Sequence, residues 1–276
     1  MGFIEALLET KLARLREVIL PLDRVLIAFS GGVDSTLVLK VAYDLLGNNA
    51  LGVTASSPSL PRAELQAAVD LARHIGAPHR LIETGELQNR DYAANPVNRC
   101  YFCKAELYTA LAPLAAREGY RYILDGSHAG DLADFRPGER AAREHQVRSP
   151  LREAALIKEE IHSLARHFGL PNWDKPASAC LSSRIPHGVP VTAEILSRIE
   201  NAETVLRNLG FRQVRVRHHN EIARIEVSPE EFTRLIENRQ AVLRGLKEAG
   251  YLFVTLDLAG FKSGSLNLLH LREERR

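Results

Sequence analysis

An apolar run that ends in a loop of small residues constrains the fold of this chain more than any other sequence feature. Residues 25–29 read VLIAF, which is typical of a strand buried in a parallel sheet. Residues 30–36 read SGGVDST, and helical apolar spacing runs over 33–46. Because a tight turn needs only one glycine, we interpret this loop as one that holds a ligand close to its backbone.

Strand and helix patterns alternate over the first two thirds of the chain and predict an α/β fold with a parallel sheet and right-handed crossovers. The predicted strands are 25–29, 50–55, 79–82 and 121–124, and the predicted helices are 33–46, 62–75 and 151–168. Sites in such sheets lie beyond the carboxyl ends of the strands. We therefore expect 30–35, 56–60 and 125–131 along one edge.

The order of predicted strands and helices changes after the proline-containing segment 170–190. A helix over 193–209, two alternating strands within 213–227, a helix over 229–249 and a strand over 251–258 predict a small α-β-β-α-β domain. The expected organisation is a first domain over 1–190, which carries the cysteine-containing loops, and a C-terminal domain over 191–276.

Composition excludes several classes of function. The 276 residues carry a net charge of +2, which gives no global attraction to nucleic acid or anionic membranes. No apolar stretch approaches the roughly 18 residues of a membrane span. The N-terminal residues form a mixed-charge amphipathic pattern rather than a signal peptide, so we expect a cytoplasmic protein.

The loop at 30–35, SGGVDS, is neither GxxxxGK[ST] nor GxGxxG. It resembles the PP-loop of ATP pyrophosphatases, which grips the pyrophosphate that leaves when ATP adenylylates a substrate. The alternative is a tight turn with an Asp or Ser helix cap. The resemblance implies that Asp34 holds Mg²⁺ or caps the helix, and that the stretch ASSPSL at 55–60 meets adenine and ribose. The implied phosphate contacts are Ser30, Gly31, Gly32, Ser35 and Thr36.

The chain has three cysteines, Cys100, Cys103 and Cys180. Structural zinc would need a histidine as a fourth ligand, a redox pair would need only two cysteines, and an iron–sulfur cluster held by three would leave one iron open. All three could also be small buried residues. Their occurrence with a PP-loop favours adenylation followed by sulfur delivery.

Together these residues resemble the LarE family, the ATP-dependent sulfur transferases that build the nickel-pincer nucleotide of lactate racemase. The stretches that carry the resemblance span nearly the whole chain: FSGGVDSTLVLK, LDGSHAGDLADFRPG, NWDKPASACLSSRIPHG, VRVRHHNEIARIE and VTLDLAGFKSG. It implies a PP-loop domain with a small C-terminal domain in a homo-oligomer. The implied reaction adenylylates a carboxylate of a pyridinium mononucleotide and converts it to a thiocarboxylate.

The family has two variants, one that sacrifices the sulfur of a single cysteine and one whose three cysteines hold a [4Fe-4S] cluster that relays sulfide. The sacrificial variant has its cysteine near the position of Ala179 and a tryptophan near that of Cys100. This chain resembles the cluster variant, which implies that Cys100, Cys103 and Cys180 are both cluster ligands and catalytic residues.

The strand pattern VRVR places Arg215 and Arg217 on one face. Taken alone, the residues favour a solvated face with cross-strand Arg–Glu pairs. With the resemblance, both arginines become candidates for the phosphate of the substrate mononucleotide. Glu203 and Glu226 become candidates for a nearby metal or for charge balance.

Ser183 and Arg184 follow Cys180 and either bind phosphate or cap their loop. Lys175 either neutralises charge on the α-phosphate or covers the loop surface. Weaker candidates are the acidic residues after the strand at 121–124, namely Asp125, Asp131 and Asp134.

Three rival functions remain open at this point. A tRNA thiolase should carry a basic RNA-binding surface, an amide-forming NAD or GMP synthetase needs no cysteines, and a zinc-bound nucleotide sensor would release no pyrophosphate. The expected partners are a small-molecule nucleotide, a sulfide donor and other proteins of nickel-pincer biosynthesis, with neither nucleic acid nor membrane.

Overall fold

The computed structural model describes residues 2–133, 137–176 and 179–262. The chain divides into two compact units, one formed by Met1–Glu86 and Cys100–Ser178, the other by Leu87–Arg99 and Ala179–Arg276. The second unit thus takes in the residues just before 190 and a segment from the middle of the chain. The division into functional domains at residue 190 stays a prediction.

The first unit is built on a four-stranded parallel sheet in the order β3-β2-β1-β4. Its strands are β1 (Val25–Ala28), β2 (Ala50–Ser56), β3 (His79–Glu83) and β4 (Tyr122–Leu124). All residues of β1 are buried, as expected for a strand between two parallel neighbours. The predicted parallel α/β sheet is confirmed.

The helices of the described residues are numbered along the chain, and short 3-10 turns are left unnumbered. They are α1 (Gly2–Ile19), α2 (Val33–Leu46), α3 (Arg62–Ile75), α4 (Arg90–Ala93), α5 (Arg99–Glu118), α6 (Gly138–Glu144), α7 (Pro150–Glu153), α8 (Lys158–His167), α9 (Ala193–Asn208), α10 (Phe232–Glu237) and α11 (Arg239–Glu248). No helix in these described ranges combines the length and the apolar character needed to cross a bilayer.

Apolar side chains cover both faces of the first sheet. Val25 and Ile27 pack into one buried cluster with residues of α1, α2 and α8. Leu26 and Ala28, which point to the opposite face, pack into a second cluster with residues of α5 and α6. This two-sided cover leaves the carboxyl edge of the strands as the natural place for a ligand.

Two predicted helices are interrupted in the structure, so their predicted continuity is wrong. The helix expected over 151–168 is α7 and α8, separated by a turn in which Ala155 has a φ of +54°. The helix expected over 229–249 is a 3-10 turn followed by α10 and α11, which meet at Asn238.

The second unit contains a three-stranded sheet in the order β5-β6-β7. Its strands are β5 (Val214–His219), β6 (Ile222–Val227) and β7 (Phe253–Leu256). β5 and β6 are antiparallel, whereas β6 and β7 are parallel. Residues of α9, α10 and α11 pack with this sheet in one buried cluster. The predicted α-β-β-α-β order holds, with its second helix divided in two.

Candidate functional site

The loop after β1 adopts a shape that requires glycine. Gly31 has a φ of +70°, and a Cβ atom there would lie 2.9 Å from the Cβ of Ala68 on α3. Gly32 forms the N-cap of α2, where no side chain caps the helix. The loop therefore presents backbone N–H groups at a helix N-terminus, an arrangement that suits an anion.

The loop hydroxyls make hydrogen bonds to the loop itself. Ser35 Oγ donates to Gly32 O over 3.1 Å, and it lies 3.1 Å from Ser30 Oγ. Thr36 donates to the same carbonyl oxygen through both its hydroxyl, at 2.8 Å, and its N–H, at 3.0 Å. These bonds pre-form the loop, and the phosphate contacts expected of the three hydroxyls stay predictions.

Asn172 holds the loop from outside, and sequence reasoning missed it. Its Nδ2 donates to Gly31 O over 3.2 Å and to Thr36 Oγ1 over 3.0 Å. The side chain is buried. The only sequence signal was its place in NWDKPASAC, three residues before Lys175.

Asp34 and Lys175 each form an ion pair within the first unit. Both carboxylate oxygens of Asp34 accept from Lys158 Nζ, at 2.7 and 2.8 Å. Lys175 Nζ lies 2.7 Å from Glu64 Oε2. Neither predicted role, Mg²⁺ ligation by Asp34 or charge neutralisation by Lys175, is excluded by these contacts, because all four side chains are partly exposed.

Asp125 lies directly after β4 and carries the densest hydrogen bonding at the sheet edge. Its buried carboxylate accepts from the Ser127 hydroxyl and the Ser149 hydroxyl, both at 2.7 Å, and from Tyr108 Oη at 3.2 Å. Burial alone would raise the pKa of Asp125, but the charge of Lys104 and the hydrogen bonds from Ser127 and Ser149 hold it below its usual value. Asp125 is therefore a charged structural centre of this edge.

Of the two other acidic candidates, Asp131 lies among the described residues and Asp134 does not. Asp131 is buried, and its Oδ2 accepts from the N–H of His128 over 3.0 Å. Asp134 lies outside the described residues.

Gly126 packs so closely on α2 that an added Cβ would lie 2.8 Å from Ser35 N. The loops after β1 and β4 therefore meet, as predicted for one sheet edge.

The cysteines lie on two kinds of element. Cys100 and Cys103 lie in the first turns of α5, with Cys100 exposed and Cys103 partly buried. Cys180 is partly buried and forms the N-cap of a 3-10 turn over Leu181–Arg184 in the second unit. Among the described residues, no group of three or more His, Cys, Asp and Glu side chains is arranged to hold a metal ion.

Arg184 fixes the backbone around Cys180. It donates to Cys180 O over 2.8 Å and to Ser183 Oγ over 3.1 Å. On its other side it forms a two-pronged pair with Glu203, with Nε–Oε1 at 2.8 Å and Nη2–Oε2 at 3.0 Å. Both side chains are at most 1% exposed. In this structure Arg184 therefore holds the cysteine loop, and its phosphate contact stays a prediction.

The Glu203 carboxylate accepts hydrogen bonds from several donors. Besides Arg184, Arg207 Nη2 lies 2.6 Å from its Oε2, and the N–H of Val216 donates to its Oε1 over 3.1 Å. Burial would raise the pKa of Glu203, but the hydrogen bond and charge of Arg184 and the charges of Arg207 and Arg215 lower it. Metal binding by Glu203, which stays a prediction, would have to displace these donors.

The strand parity of β5 and β6 is as the sequence predicted. Val214 and Val216 are buried in the core, and Arg215 lies opposite Glu226. Glu226 accepts from Arg217 over 2.7 Å and from Arg224 over 3.2 Å. The cross-strand pair of Arg217 with Glu226 is therefore present, and it is buried rather than solvated.

Arg215 is a partly buried cation with several arginine neighbours. Burial and the charges of Arg184, Arg217 and Arg207 lower its pKa to about 10, although Glu203 opposes the shift. The guanidinium donates to Val214 O over 2.8 Å and lies over the ring of Phe261. Arg217 also donates to Ser183 O over 2.9 Å, which brings the arginine face to the cysteine loop.

The chain was compared with known proteins. No family model matches it. It is 51% identical over 263 residues, 95% of this chain and 98% of the relative, to an uncharacterized protein of Synechocystis sp.. It is 41% identical over 263 residues, 95% of each chain, to the pyridinium-3,5-bisthiocarboxylic acid mononucleotide synthase of Lactiplantibacillus plantarum. A GMP synthase of Aeropyrum pernix is 25% identical over 201 residues, 65% of this chain and 38% of that protein.

The parallel sheet and the loop after its central strand define an adenine nucleotide alpha-hydrolase-like fold of the PP-loop type, joined to a small mixed sheet. Within that class, the chain belongs to the LarE family, the family of pyridinium-3,5-bisthiocarboxylic acid mononucleotide synthase. It is accordingly an enzyme, and the family expected from the sequence is confirmed.

Proposed function

We propose that this enzyme is an ATP-dependent sulfur transferase of nickel-pincer nucleotide biosynthesis. It adenylylates a carboxylate of a pyridinium dicarboxylate mononucleotide and replaces the AMP by sulfur. The name of the L. plantarum relative supports this substrate class. The observation that carries the proposal is the excess of guanidinium charge beside Cys180.

That excess suits a phosphate monoester. The carboxylates beside the cysteine loop are already engaged by Arg184, Arg207 and Arg217. Arg215 adds a further, partly desolvated positive charge whose lowered pKa reflects its arginine neighbours. A dianionic phosphate at Arg215 and Arg217 would relieve this repulsion and accept two-pronged hydrogen bonds.

We assign the adenylylation step, in which ATP reacts, to the loop after β1. A substrate carboxylate oxygen bonds to the α-phosphorus of ATP, and the bond from that phosphorus to the bridging oxygen of pyrophosphate breaks. The N–H groups at the start of α2 receive the pyrophosphate, and Lys175 neutralises the α-phosphate. Asp34 would hold Mg²⁺, which would neutralise charge on the phosphates. Sulfide then bonds to the carbonyl carbon, and AMP leaves.

The cysteines fit an iron–sulfur cluster by the chemistry of their donor set. Cys100, Cys103 and Cys180 offer three soft thiolates, and each side chain is at least partly exposed. A [4Fe-4S] cluster with three protein ligands would supply one iron able to bind sulfide. The role of the chain would be to hold the thiolates, and Arg184 does this for the Cys180 loop. A homo-oligomer and contact with other proteins of the same biosynthesis stay proposals.

The test is anaerobic turnover with Mg-ATP, the pyridinium-3,5-dicarboxylate mononucleotide and sulfide. We expect product in which sulfur replaces one oxygen, with one AMP and one pyrophosphate per sulfur, by mass spectrometry and phosphate assay. Arg215→Gln should raise the KM for the mononucleotide, whereas Arg198→Gln, whose partner Glu194 is exposed, should not. Pyrophosphate release without thiolated product would refute sulfur transfer, and amide formation from ammonia would favour a synthetase.

The cluster is tested separately by metal analysis of the protein purified without oxygen. About four irons and four acid-labile sulfides per chain, lost in Cys100→Ser, Cys103→Ser and Cys180→Ser, are expected. Stoichiometric zinc in their place would make the cysteines structural. A mass loss at Cys180 after turnover, with no iron, would instead indicate sacrifice of its own sulfur.

A further inference from the structure

A short segment from the middle of the chain belongs to the second unit. Leu87–Arg99 groups with Ala179–Arg276, although its neighbours on both sides in sequence belong to the first unit. The segment contains α4 and ends at Arg99, and the next residue is Cys100. Sequence reasoning assigned no role to this segment. Its side chains contact the loop over residues 179–190, which we call the Cys180 loop.

Two side chains of the segment bind Ser182, which lies two residues after Cys180. Tyr92 Oη lies 2.7 Å from Ser182 Oγ, and Arg99 Nη1 donates to Ser182 O over 3.1 Å. Ser182 is fully buried, Tyr92 is 1% exposed and Arg99 is 5% exposed. Because a buried polar group that loses its partner is costly, these bonds fix the turn over Leu181–Arg184, whose N-cap is Cys180.

Asn95 holds a later part of the same loop. Its Nδ2 donates to Pro186 O over 2.7 Å and to Val189 O over 2.9 Å. Its own carbonyl oxygen accepts from the N–H of Gly188 over 3.0 Å. Asn95 is fully buried with a φ of +56°, a conformation that residues other than glycine keep only when their surroundings hold it. Its Oδ1 accepts from Arg99, which joins the two sets of contacts.

The Cys180 loop is therefore held by two sets of contacts. Arg184, which is paired with Glu203 of α9, donates to Cys180 O, and the segment 87–99 adds the contacts to Ser182 and to residues 186–189. Groups that orient the ligands of a metal affect its binding without touching it. A fixed loop of this kind suits a thiolate that has to stay in one position.

We propose that Tyr92, Asn95 and Arg99 are positioning residues for the Cys180 thiol, an inference that rests on the proposed function. They act on the thiol through the backbone of the Cys180 loop. Arg99 has a further part in this, because its side chain bonds to that loop while its backbone leads directly into Cys100, in the first turn of α5. One residue thus links two segments that carry cysteines.

The competing explanation is that these bonds stabilise the second unit and do nothing for the thiol. Tyr251 is a matched control in the same unit, since it is also 1% exposed and its Oη lies 3.2 Å from Nδ1 of His218 on β5. Tyr92→Phe and Tyr251→Phe each remove one buried phenol hydroxyl. Arg99→Met removes the guanidinium donor, and Arg99→Lys keeps a cationic donor.

The first measurement is the rate at which iodoacetamide alkylates each cysteine of the reduced protein purified in air, followed by peptide mass spectrometry. For Tyr92→Phe we expect Cys180 to react roughly two- to tenfold faster than in the wild type, the range for loss of one neutral hydrogen bond that restrains local opening. Cys103 should keep its rate and serves as the reference in each sample. Arg99→Met should have a larger effect on Cys180, which Arg99→Lys should reduce.

The second measurement is iron binding during anaerobic reconstitution. Tyr92→Phe and Arg99→Met should lower the affinity for iron by roughly tenfold or more, the range for groups that orient metal ligands, whereas Tyr251→Phe should not. An unchanged alkylation rate of Cys180 in Tyr92→Phe and Arg99→Met, or an equal rise in Tyr251→Phe, would overturn the positioning role.

The two measurements separate this inference from the proposed function. If the wild-type protein binds no iron, the proposed cluster is wrong, but the alkylation rates still decide whether the segment 87–99 positions Cys180. Thermal unfolding identifies any variant that fails to fold. If Arg99→Met fails, Tyr92→Phe against Tyr251→Phe decides the question.

Discussion

Replacing Glu203 by glutamine should destabilise the second unit far more than replacement of an exposed glutamate on the same helix. Glu203 is fully buried and accepts hydrogen bonds at both carboxylate oxygens. The amide keeps one oxygen as an acceptor but turns N–H groups toward the other donors. The buried charge of Arg184 then loses its counter-charge.

The size of the effect follows from the contacts at Oε2. Arg184 Nη2 at 3.0 Å and Arg207 Nη2 at 2.6 Å both lose their acceptor. Two charge-assisted hydrogen bonds of about 1.5–3 kcal/mol each give about 3–6 kcal/mol. Breaking a buried ion pair by removing one partner costs about 3–5 kcal/mol, which agrees. With a denaturant slope of about 2 kcal/mol per molar, the urea midpoint should fall by about 2 M.

The assay is urea unfolding followed by far-ultraviolet ellipticity and by fluorescence of Trp173. Trp173 is the only tryptophan and belongs to the first unit, so its signal separates the two units if they unfold independently. The matched control is Glu194→Gln, because Glu194 is 81% exposed and pairs with Arg198 at 3.1 Å. That exposed pair should be worth no more than about 1 kcal/mol.

The stability of the two variants at low pH provides a second test, because the direction of the change is defined. The pKa of Glu203 is held below its usual value, so its contribution to stability is full above the unfolded value of about 4.3 and is lost as pH falls through the lower, folded pKa. The difference between wild type and Glu203→Gln should therefore shrink in strong acid. A variant as stable as Glu194→Gln at neutral pH would refute the reasoning.

Two further predictions concern the sheet edge and pH. Gly126→Ala should weaken pyrophosphate binding and cost about 1–3 kcal/mol in urea unfolding, because its Cβ would lie 2.8 Å from Ser35 N; unaltered binding would contradict this. Burial lowers the pKa of His79, whose Nε2 lies 2.8 Å from Thr54 Oγ1. Its contribution to the free energy of unfolding is therefore full above about pH 6.5 and is lost as pH falls through the folded pKa. His79→Gln should flatten the fall in unfolding free energy between pH 7 and 5, and an unchanged slope would exclude His79 as its cause.

Local patterns in the sequence were enough to place the central elements of the first sheet. Residues 33–46 and 62–75 are helical as predicted, because apolar spacing coincides with a glycine at the C-cap of each helix, Gly47 and Gly76. Helix α5 was missed, and it contains Pro113. A proline in a sequence read without its tertiary contacts indicates a break, but buried residues such as Tyr108 and Leu111 pack this helix onto the sheet.

The residues that support the loop could not be predicted from its neighbourhood. Asn172 and Lys158 reach the loop from 141 and 124 residues away. Periodicity fixes which face of an element is buried, but it does not specify which distant side chain meets that element. The same limit applies to Arg184, for which the sequence left phosphate binding and loop capping open and gave no sign of the pair with Glu203 of α9.

The arginines of the second unit differ in whether a carboxylate of the protein holds them. A carboxylate that holds several arginines stabilises its surroundings only while those pairs stay intact, so Arg184 and Arg217 are poor candidates to move toward a substrate. Arg215 differs because its hydrogen bond is to the carbonyl oxygen of Val214 and its pKa is lowered to about 10. An incoming phosphate would gain most from Arg215 and would find Arg217 already oriented by Glu226. The proposed affinity for a mononucleotide thus depends on arginines that the fold leaves in excess over its own carboxylates.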